Sequence, residues 1–371
     1  DCMLTKGDDY PLHQTPEPVA CSGADRNFYD RYFFNGYSPD GELFFAAALG
    51  VYPQLNIMDA AFCLVKEGVQ HNIRASKHLG SERLDLTVGP ITLTIEEPLE
   101  TLRLQVNDAA SDIAADITFK GRHTPVEEPR FTLRNGPRMM MDYTRMTQNG
   151  NWSGTITHGD QSVVLDSSVH LGTRDRSWGI RPVGAAESQP ANPQRIPQFY
   201  WLWMPVNFDN FAAFFHSNED ERGLAWNQRG VVVPLAADGK AEPTEFARTD
   251  YSLSYARGNR RVNTLAVRYD ASNGTSMDVV PGGNLFYMSG LGYMHPQWGH
   301  GMDHGPLDTA YDTIDLSSDP AGDPLRLHVQ ALAKAVLSVD GQQHKGMGVI
   351  EQLFLGEHQP SGLSGLLDPW R

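Results

Sequence analysis

The sequence has few cysteines and no long apolar run, and each absence excludes a class of protein. Its three cysteines, Cys2, Cys21 and Cys63, are odd in number, widely spaced and without C-x-x-C spacing. This usage favours a reducing compartment over a disulfide framework or a cysteine zinc site. The longest apolar segments, 44–51 and 199–206, are far shorter than the roughly 20 residues that span a bilayer. We therefore predict no transmembrane segment.

The sequence also lacks the features that bind nucleic acid, anionic membranes or nucleotides. Its 30 basic and 45 acidic residues give a formal net charge of −15, and no block of Lys and Arg interrupts the acidic composition. A surface of this charge repels phosphate groups. The sequence contains no phosphate loop, strand-linked G-x-G-x-x-G or nucleophile elbow. It therefore predicts no nucleic-acid partner and no organic cofactor.

The start of the chain has no basic and then apolar pattern of the kind found in signal peptides. The first forty residues are polar and turn-rich and then aromatic over 28–34, which predicts an extended arm that leads into a first strand. Together with the cysteine content, the missing signal pattern predicts a cytoplasmic protein.

Glycine, proline and short alternating apolar patterns are abundant. Apolar residues alternate with polar ones at Leu84, Leu86 and Val88, at Ile91, Leu93 and Ile95, and at Leu102, Leu104 and Val106. Turn sequences at 38–41, 88–90, 149–150 and 158–160 separate such runs. A period of two with short connections is typical of antiparallel strands in a sandwich or an up-and-down barrel. The pattern therefore predicts an all-β protein.

The length of 371 residues exceeds the usual size of one hydrophobic core. The polar, proline-bearing segment 188–197 is the best candidate for a linker, and further strand-like runs follow it. We predict a first β-barrel with its N-terminal arm over residues 1–187 and a second β-barrel over residues 198–371.

The segment 170–182 concentrates charge around one indole, with Arg174, Asp175, Arg176, Trp178 and Arg181. Along a strand, Asp175 and Ser177 would point to one face and the neighbouring arginines to the other. One interpretation is a buried ion-pair network that closes a barrel end, with the indole as packing. The other is an acid in an apolar pocket. Burial would raise the pKa of Asp175, whereas a close arginine would lower it.

The run Asp175-Arg176-Ser177-Trp178-Gly179 resembles the D-H-N-W-G element of carotenoid 1,2-hydratases and the D-x-x-W-G of AttH-like proteins. The setting is similar too, with Glu127-Glu128-Pro129 upstream and Tyr200-Trp201-Leu202-Trp203 opening the second half. The resemblance implies two tandem lipocalin-like antiparallel β-barrels with few helices. In those hydratases the motif aspartate protonates an isolated double bond, which implies that Asp175 is the acid. Here Arg176 replaces the motif histidine.

A second cluster of polar residues lies within 292–305. It contains His295, His300, Asp303 and His304, and related two-barrel proteins share its H-P-x-W-G-H-G pattern. Three interpretations are open: a metal site of three such side chains plus water, a proton relay, or a hydrogen-bonded loop. The spacing matches no established metal motif. We predict no tightly bound metal.

Aromatic residues are a third candidate feature, because their π-faces can stabilise a carbocation in an apolar cavity. The candidates for substrate contact are Trp178, Tyr200, Trp203, Tyr287, Tyr293 and Trp298. The alternative for each is ordinary barrel core.

Together these features predict a cofactor-independent enzyme that uses acid–base chemistry on a small hydrophobic molecule, terpenoid or steroid-like. Hydration, dehydration, isomerisation and cyclisation are the candidate reactions, which makes it a hydro-lyase or an isomerase or cyclase. Asp175 would donate a proton, His295, His300 or Asp303 would accept one or position water, and Arg174, Arg176 and Arg181 would position the segment. The alternative is a non-catalytic carrier or sensor of hydrophobic ligands, which has no turnover to lose.

Overall fold

The predicted all-β architecture is confirmed by a computed structural model, which describes residues 4–11, 13, 25–189, 197–236, 241–246, 248–270, 274–320 and 322–370. The helices in these ranges are short 3₁₀ turns at Lys6–Asp9, Pro53–Leu55, Met288–Leu291, Pro324–Arg326 and Gln359–Ser361. None of them is long or apolar enough to cross a bilayer. Most of the predicted linker, 190–196, and of the predicted arm, 14–24, lies outside the described residues.

Thirteen strands lie before the linker in the residues that the structure describes. They are β1 (Phe28–Tyr37), β2 (Phe44–Tyr52), β3 (Ile57–Lys66), β4 (Val69–His78), β5 (Thr87–Val88), β6 (Ile91–Glu97), β7 (Thr101–Asp108), β8 (Ile113–Gly121), β9 (Val126–Glu127), β10 (Phe131–Asn135), β11 (Arg138–His158), β12 (Gln161–Leu165) and β13 (Leu171–Ile180).

Ten further strands follow within the described residues. They are β14 (Phe199–Phe208), β15 (Phe211–Glu219), β16 (Ala225–Pro234), β17 (Thr244–Phe246), β18 (Asp250–Tyr255), β19 (Val262–Asp270), β20 (Thr275–Tyr287), β21 (Leu307–Asp315), β22 (Val329–Val339) and β23 (Gln342–Leu355).

The strands form two antiparallel sheets. The first runs in the order β21-β4-β3-β2-β1-β13-β11-β8-β7-β6-β5, with β9, β10 and β12 also paired to β11. It curls until β5 and β6 contact β3, as a barrel requires. The second runs in the order β17-β16-β15-β14-β23-β22-β20-β19-β18. In the second sheet Tyr251 of β18 contacts Phe215 of β15, with ring centroids 5.3 Å apart, so this sheet curls as well.

The chain divides into two compact units, Asp1–Ala191 with Ser289–Asp315, and Asn192–Met288 with Leu316–Arg371. The second barrel predicted from the sequence includes residues 289–315, but the contacts assign them to the first unit. The physical reason is that β21 pairs antiparallel with β4 along its whole length, from Leu307 opposite Lys77 to Asp315 opposite Val69. A strand from late in the chain thus extends the first sheet.

Each sheet encloses its own apolar core. Alternate residues of the first sheet, among them Phe34, Phe45, Phe119 and Trp152, pack in one buried cluster. The second sheet encloses a separate cluster that includes Phe215, Tyr269 and Phe354. Alternation of buried and exposed residues, such as that along β8, is the physical basis of the period of two in the sequence.

The predicted turn at Asn149-Gly150 is wrong, because both residues lie inside β11. Gly150 is paired with Gly172 of β13 and with Gly121 of β8, and Gly172 is paired with Gly36 of β1. This row of four glycines crosses the sheet where the rings of Phe45, Phe119 and Trp152 lie against it. Glycine here provides space for aromatic rings rather than a bend.

Replacing Gly172 by Ala is expected to reduce the free energy of unfolding by about 1–3 kcal/mol. A Cβ at this position would overlap the carbonyl oxygen of Asn35 and lie 2.6 Å from the indole nitrogen of Trp152. Gly282→Ala is the matched control, since a Cβ there has no heavy atom within 4 Å. Urea unfolding of both variants checks the expectation, and equal stabilities would contradict it.

Candidate functional site

The two faces of β13 carry different chemistry. Arg174 and Arg176 point into the first barrel and are fully buried, at 0 % exposure. The intervening Asp175 is half-buried and lies on the opposite face of the sheet. The two arginines therefore belong to the barrel interior, and Asp175 belongs to its outer surface.

Arg174 is held in the barrel by a carboxylate from the start of the chain. Its Nη1 donates to Oδ1 of Asp9 at 2.5 Å, its Nη2 donates to Oδ2 of Asp9 at 3.2 Å, and its Nε donates to Gln148 at 2.7 Å. Asp9 is also fully buried. This ion pair attaches the 3₁₀ turn at Lys6–Asp9 to the interior of the first barrel through the buried Asp9 side chain.

Arg176 has a separate counter-ion, Asp30 of β1. Its guanidinium lies 3.8 Å above the ring of Tyr32. His13 contacts the other oxygen of Asp30 at 2.7 Å and stacks on Trp178 with ring centroids 3.6 Å apart. Burial opposes the ionisation of Asp30, but the charges of Arg176 and His13 hold its pKa below the usual range.

The first barrel is expected to lose stability in acid because of Asp30. A carboxyl whose pKa is lowered on folding stabilises the folded state above its unfolded pKa of about 4. That contribution is lost as the pH falls through the folded pKa. Urea unfolding at pH 7 and at pH 3 gives the free energy of unfolding at each pH. The decrease between the two pH values should be smaller for Asp30→Asn than for the wild type. An equal difference in the two proteins would exclude this role.

On the outer face, the charge of Asp175 acts on a third ion pair, Arg145 with Glu128, and on Tyr29. Glu128 accepts hydrogen bonds from Nε of Arg145 at 2.8 Å and from Thr147 at 2.6 Å. Burial raises the pKa of Tyr29 to about 12, and the charge of Asp175 contributes to this rise. Burial lowers the pKa of Arg145, but the charges of Glu128 and, after it, Asp175 raise it above the usual value. Asp175 is thus electrostatically coupled to both side chains.

The segment 289–305 covers the outer face of β1, β3 and β4. Arg31 donates to the carbonyl of Leu291 at 3.2 Å, and Arg74 donates to the carbonyl of Ser289 at 3.1 Å. The backbone N–H of Gly301 donates to Oδ2 of Asp59 at 2.8 Å. Burial raises the pKa of the Asp59 carboxyl. The covering segment is therefore attached by polar contacts across the sheet.

His295 and His300, two of the predicted catalytic residues, hold this covering segment together. Nδ1 of His300 accepts from Arg181 at 2.9 Å, and its Nε2 lies 3.0 Å from the carbonyl of Leu291. These partners require a neutral ring with its proton on Nε2. Nδ1 of His295 accepts the backbone N–H of Trp298 at 2.9 Å.

Asp303 and His304, the other two polar residues of this cluster, contact different partners. The Asp303 carboxylate is 69 % exposed and lies 3.0 Å from Nε2 of His78. His304 stacks on Trp298 at 3.7 Å. In the described part of the chain, no group of three His, Cys, Asp or Glu side chains is placed to hold a metal ion.

The candidate substrate-binding aromatics are divided between the two units. Trp178, Tyr293 and Trp298 belong to the first unit, where Tyr293 lies under the guanidinium of Arg181 at 5.7 Å. Tyr200, Trp203 and Tyr287 belong to the second, where the Tyr287 hydroxyl donates to Asp319 at 2.9 Å.

Sequence reasoning missed the carboxylates that neutralise the arginines of the motif. Asp9 is 165 residues away from Arg174 in the chain, so no local pattern connects them. Asp30 stands within the aromatic run that predicts the first strand, where a lone carboxylate at an inward position was the available signal.

Two curled antiparallel sheets, each with its own apolar core, give the chain an all-β architecture of two barrel-like units. The chain belongs to a family of unknown function, DUF8625, whose model matches residues 4–364. No curated protein sequence matches it.

Three solved structures share this fold. Kievitone hydratase from Nectria haematococca is 12% identical, with 93% of this chain and 92% of that chain covered and a TM-score of 0.52. An AttH-like protein from Nitrosomonas europaea is 13% identical, with 89% of this chain and 94% of that chain covered and a TM-score of 0.50. CghA is 11% identical, with 91% of each chain covered and a TM-score of 0.50. At these identities the likeness establishes the fold alone.

Proposed function

We propose that this protein is an acid–base enzyme that adds water to, or removes it from, a hydrophobic terpenoid or steroid-like molecule. Asp175 is the proton donor, and the reaction needs no organic cofactor. The observation that carries the proposal is the separation of Asp175 from the two buried arginines beside it in the sequence, which lie on the opposite face of β13.

Arg174 and Arg176 have their own carboxylates, Asp9 and Asp30. The charge of Asp175 is therefore not required to neutralise either of them. The sequence allowed two interpretations of the motif, a buried ion-pair network and an acid. In this proposal Arg174 and Arg176 form the buried network, and Asp175 is the acid.

The burial of Asp175 suits a proton donor, since the residue is half-buried rather than fully exposed. Its charge contributes to the raised pKa of Tyr29, about 12, and this tyrosine keeps its proton at neutral pH. The shared fold of kievitone hydratase, whose name denotes addition of water, supports the same class of reaction.

In the hydration direction, the Asp175 carboxyl transfers its proton to one carbon of a double bond. The resulting cation at the other carbon is attacked by water, and the water then loses a proton that restores the carboxyl. Dehydration reverses these steps. General acid catalysis of this kind contributes roughly 10²–10⁴-fold to a rate.

The other predicted catalytic residues receive narrower roles in this proposal. His300 orients Arg181 and fixes the covering segment, since both ring nitrogens have partners. His295 stabilises the turn that leads to Trp298. Asp303, exposed beside His78, is assigned no proton transfer.

The test is product formation in deuterated water with geraniol, squalene and a prenylated phenol as probes. Hydration should add one deuterium on carbon and one hydroxyl, both visible by mass spectrometry. Heat-denatured protein is the control. Conversion of none of the three probes, together with unchanged binding of them by the Asp175→Asn variant, would favour a carrier and contradict the proposal.

A further inference from the structure

The second unit contains an open cavity of about 670 Å³ beside β18 and the C-terminal segment. Tyr200, Tyr251, Tyr255 and Trp370 contribute aromatic surface to it. Among the described residues that line it there is no lysine or arginine, whereas Glu219 and Asp250 are acidic. The cavity therefore suits an uncharged ligand with apolar or aromatic groups rather than an anion.

Three side chains in this cavity form a continuous hydrogen-bonded series. Oγ of Ser361 lies 2.7 Å from Nδ1 of His358, and Nε2 of His358 lies 2.9 Å from Oε2 of Glu219. The ring of His358 stacks on Tyr200 with centroids 3.9 Å apart, which fixes its orientation. His358 and Glu219 are buried, at 3% and 5% exposure, while Ser361 is half-buried at the cavity wall.

The partners determine the direction of each hydrogen bond. Glu219 accepts from Nε2 of His358 and, on its other oxygen, from Tyr251 and Ser217, each at 2.7 Å. Nδ1 of His358 is then the acceptor for the Ser361 hydroxyl. A hydroxyl whose proton points at an imidazole that is itself oriented by a carboxylate is an activated nucleophile.

We propose that Ser361 is the nucleophile of a second active site, one that hydrolyses uncharged esters with an apolar or aromatic acyl group. His358 is the general base and Glu219 orients it. Tyr255 donates to Oγ of Ser361 at 2.6 Å, so its hydroxyl is within reach of the oxygen of a carbonyl attacked by that atom.

The reaction balances without any further reactant than water. Oγ of Ser361 bonds to the ester carbonyl carbon while its proton passes to Nδ1 of His358. The tetrahedral intermediate collapses, the ester C–O bond breaks, and the departing alcohol takes the proton from His358. Water then attacks the acyl-serine by the same sequence, which releases the acid and restores the Ser361 hydroxyl.

The test uses the full chain with 4-nitrophenyl butyrate and with an alkyl fluorophosphonate. We expect measurable ester hydrolysis that falls by at least about 100-fold in Ser361→Ala and in His358→Gln. Peptide mass spectrometry should locate one phosphonate adduct on Ser361 in the wild type and none in Ser361→Ala.

The matched control is Ser338→Ala, which removes a serine of β22 that does not line the cavity. It should retain wild-type hydrolysis and labelling. Thermal melting shows whether each variant is folded. Labelling by the fluorophosphonate tests the nucleophile directly, because it does not depend on the choice of ester. Absence of an adduct on Ser361 in folded wild-type protein, or equal hydrolysis by Ser361→Ala, overturns the proposal.

Discussion

Replacing Asp175 by Asn is expected to lower turnover of a terpenoid or steroid-like substrate by roughly two to four orders of magnitude, the usual range for loss of an acid–base group. The amide has nearly the shape of the carboxyl but has no acidic proton to transfer. The free energy of unfolding should change by less than about 1 kcal/mol. The reason is that Asp9 and Asp30 neutralise Arg174 and Arg176, while the buried Arg145 near Asp175 is paired with Glu128.

Ser177→Ala is the control for this variant. Ser177 lies on the same strand and the same face of the sheet as Asp175. The Ser177→Ala substitution should therefore perturb local packing to a similar extent without removing a proton donor. A stability loss of about 3–5 kcal/mol in Asp175→Asn, with activity reduced only in proportion to the unfolded fraction, would assign Asp175 a structural role instead.

The largest expected effect on stability is that of Asp9→Asn. Both partners of the Arg174–Asp9 pair are at 0% side-chain exposure. Removing one charge leaves a buried guanidinium without its counter-ion, which costs about 3–5 kcal/mol. Because Asp9 anchors the start of the chain, residues 4–11 should also become more susceptible to proteolysis.

Asp116→Asn is the control for Asp9→Asn, because it removes the carboxylate of an ion pair of similar geometry at the protein surface. Asp116 accepts two hydrogen bonds from Arg103, at 2.7 and 2.6 Å, but its side chain is 51% exposed. Solvent screening limits its contribution to about 0–1 kcal/mol. Urea unfolding of the two variants tests the account, and a loss in Asp9→Asn no larger than that in Asp116→Asn would contradict it.

Much of the fold was predictable because strand periodicity is a local property. The alternating run at Ile91, Leu93 and Ile95 lies in β6, and that at Leu102, Leu104 and Val106 lies in β7. The turn predicted at 149–150 failed since Asn-Gly is a turn signal only where the chain is free to reverse. There the packing of aromatic rings against Gly150 and Gly172 decides the conformation.

The site was less predictable, because its contacts join distant parts of the chain. Alternation along β13 correctly separates Asp175 from Arg174 and Arg176, since that follows from strand geometry alone. The pairing of Arg174 with Asp9 depends on the path of the N-terminal residues, and the position of His300 depends on the pairing of β21 with β4. Neither of these two contacts has a signal in a single sequence.

The most direct test of Asp175 as the proton donor is solvent deuterium transfer to an alkene carbon. It is measured side by side for the wild type and Asp175→Asn, after urea unfolding has shown that the two proteins have the same midpoint. Wild-type protein is expected to place one deuterium on carbon in each hydrated product. The Asp175→Asn variant should do so at least about 100-fold more slowly. Deuterium transfer by folded Asp175→Asn at the wild-type rate would show that another group donates the proton.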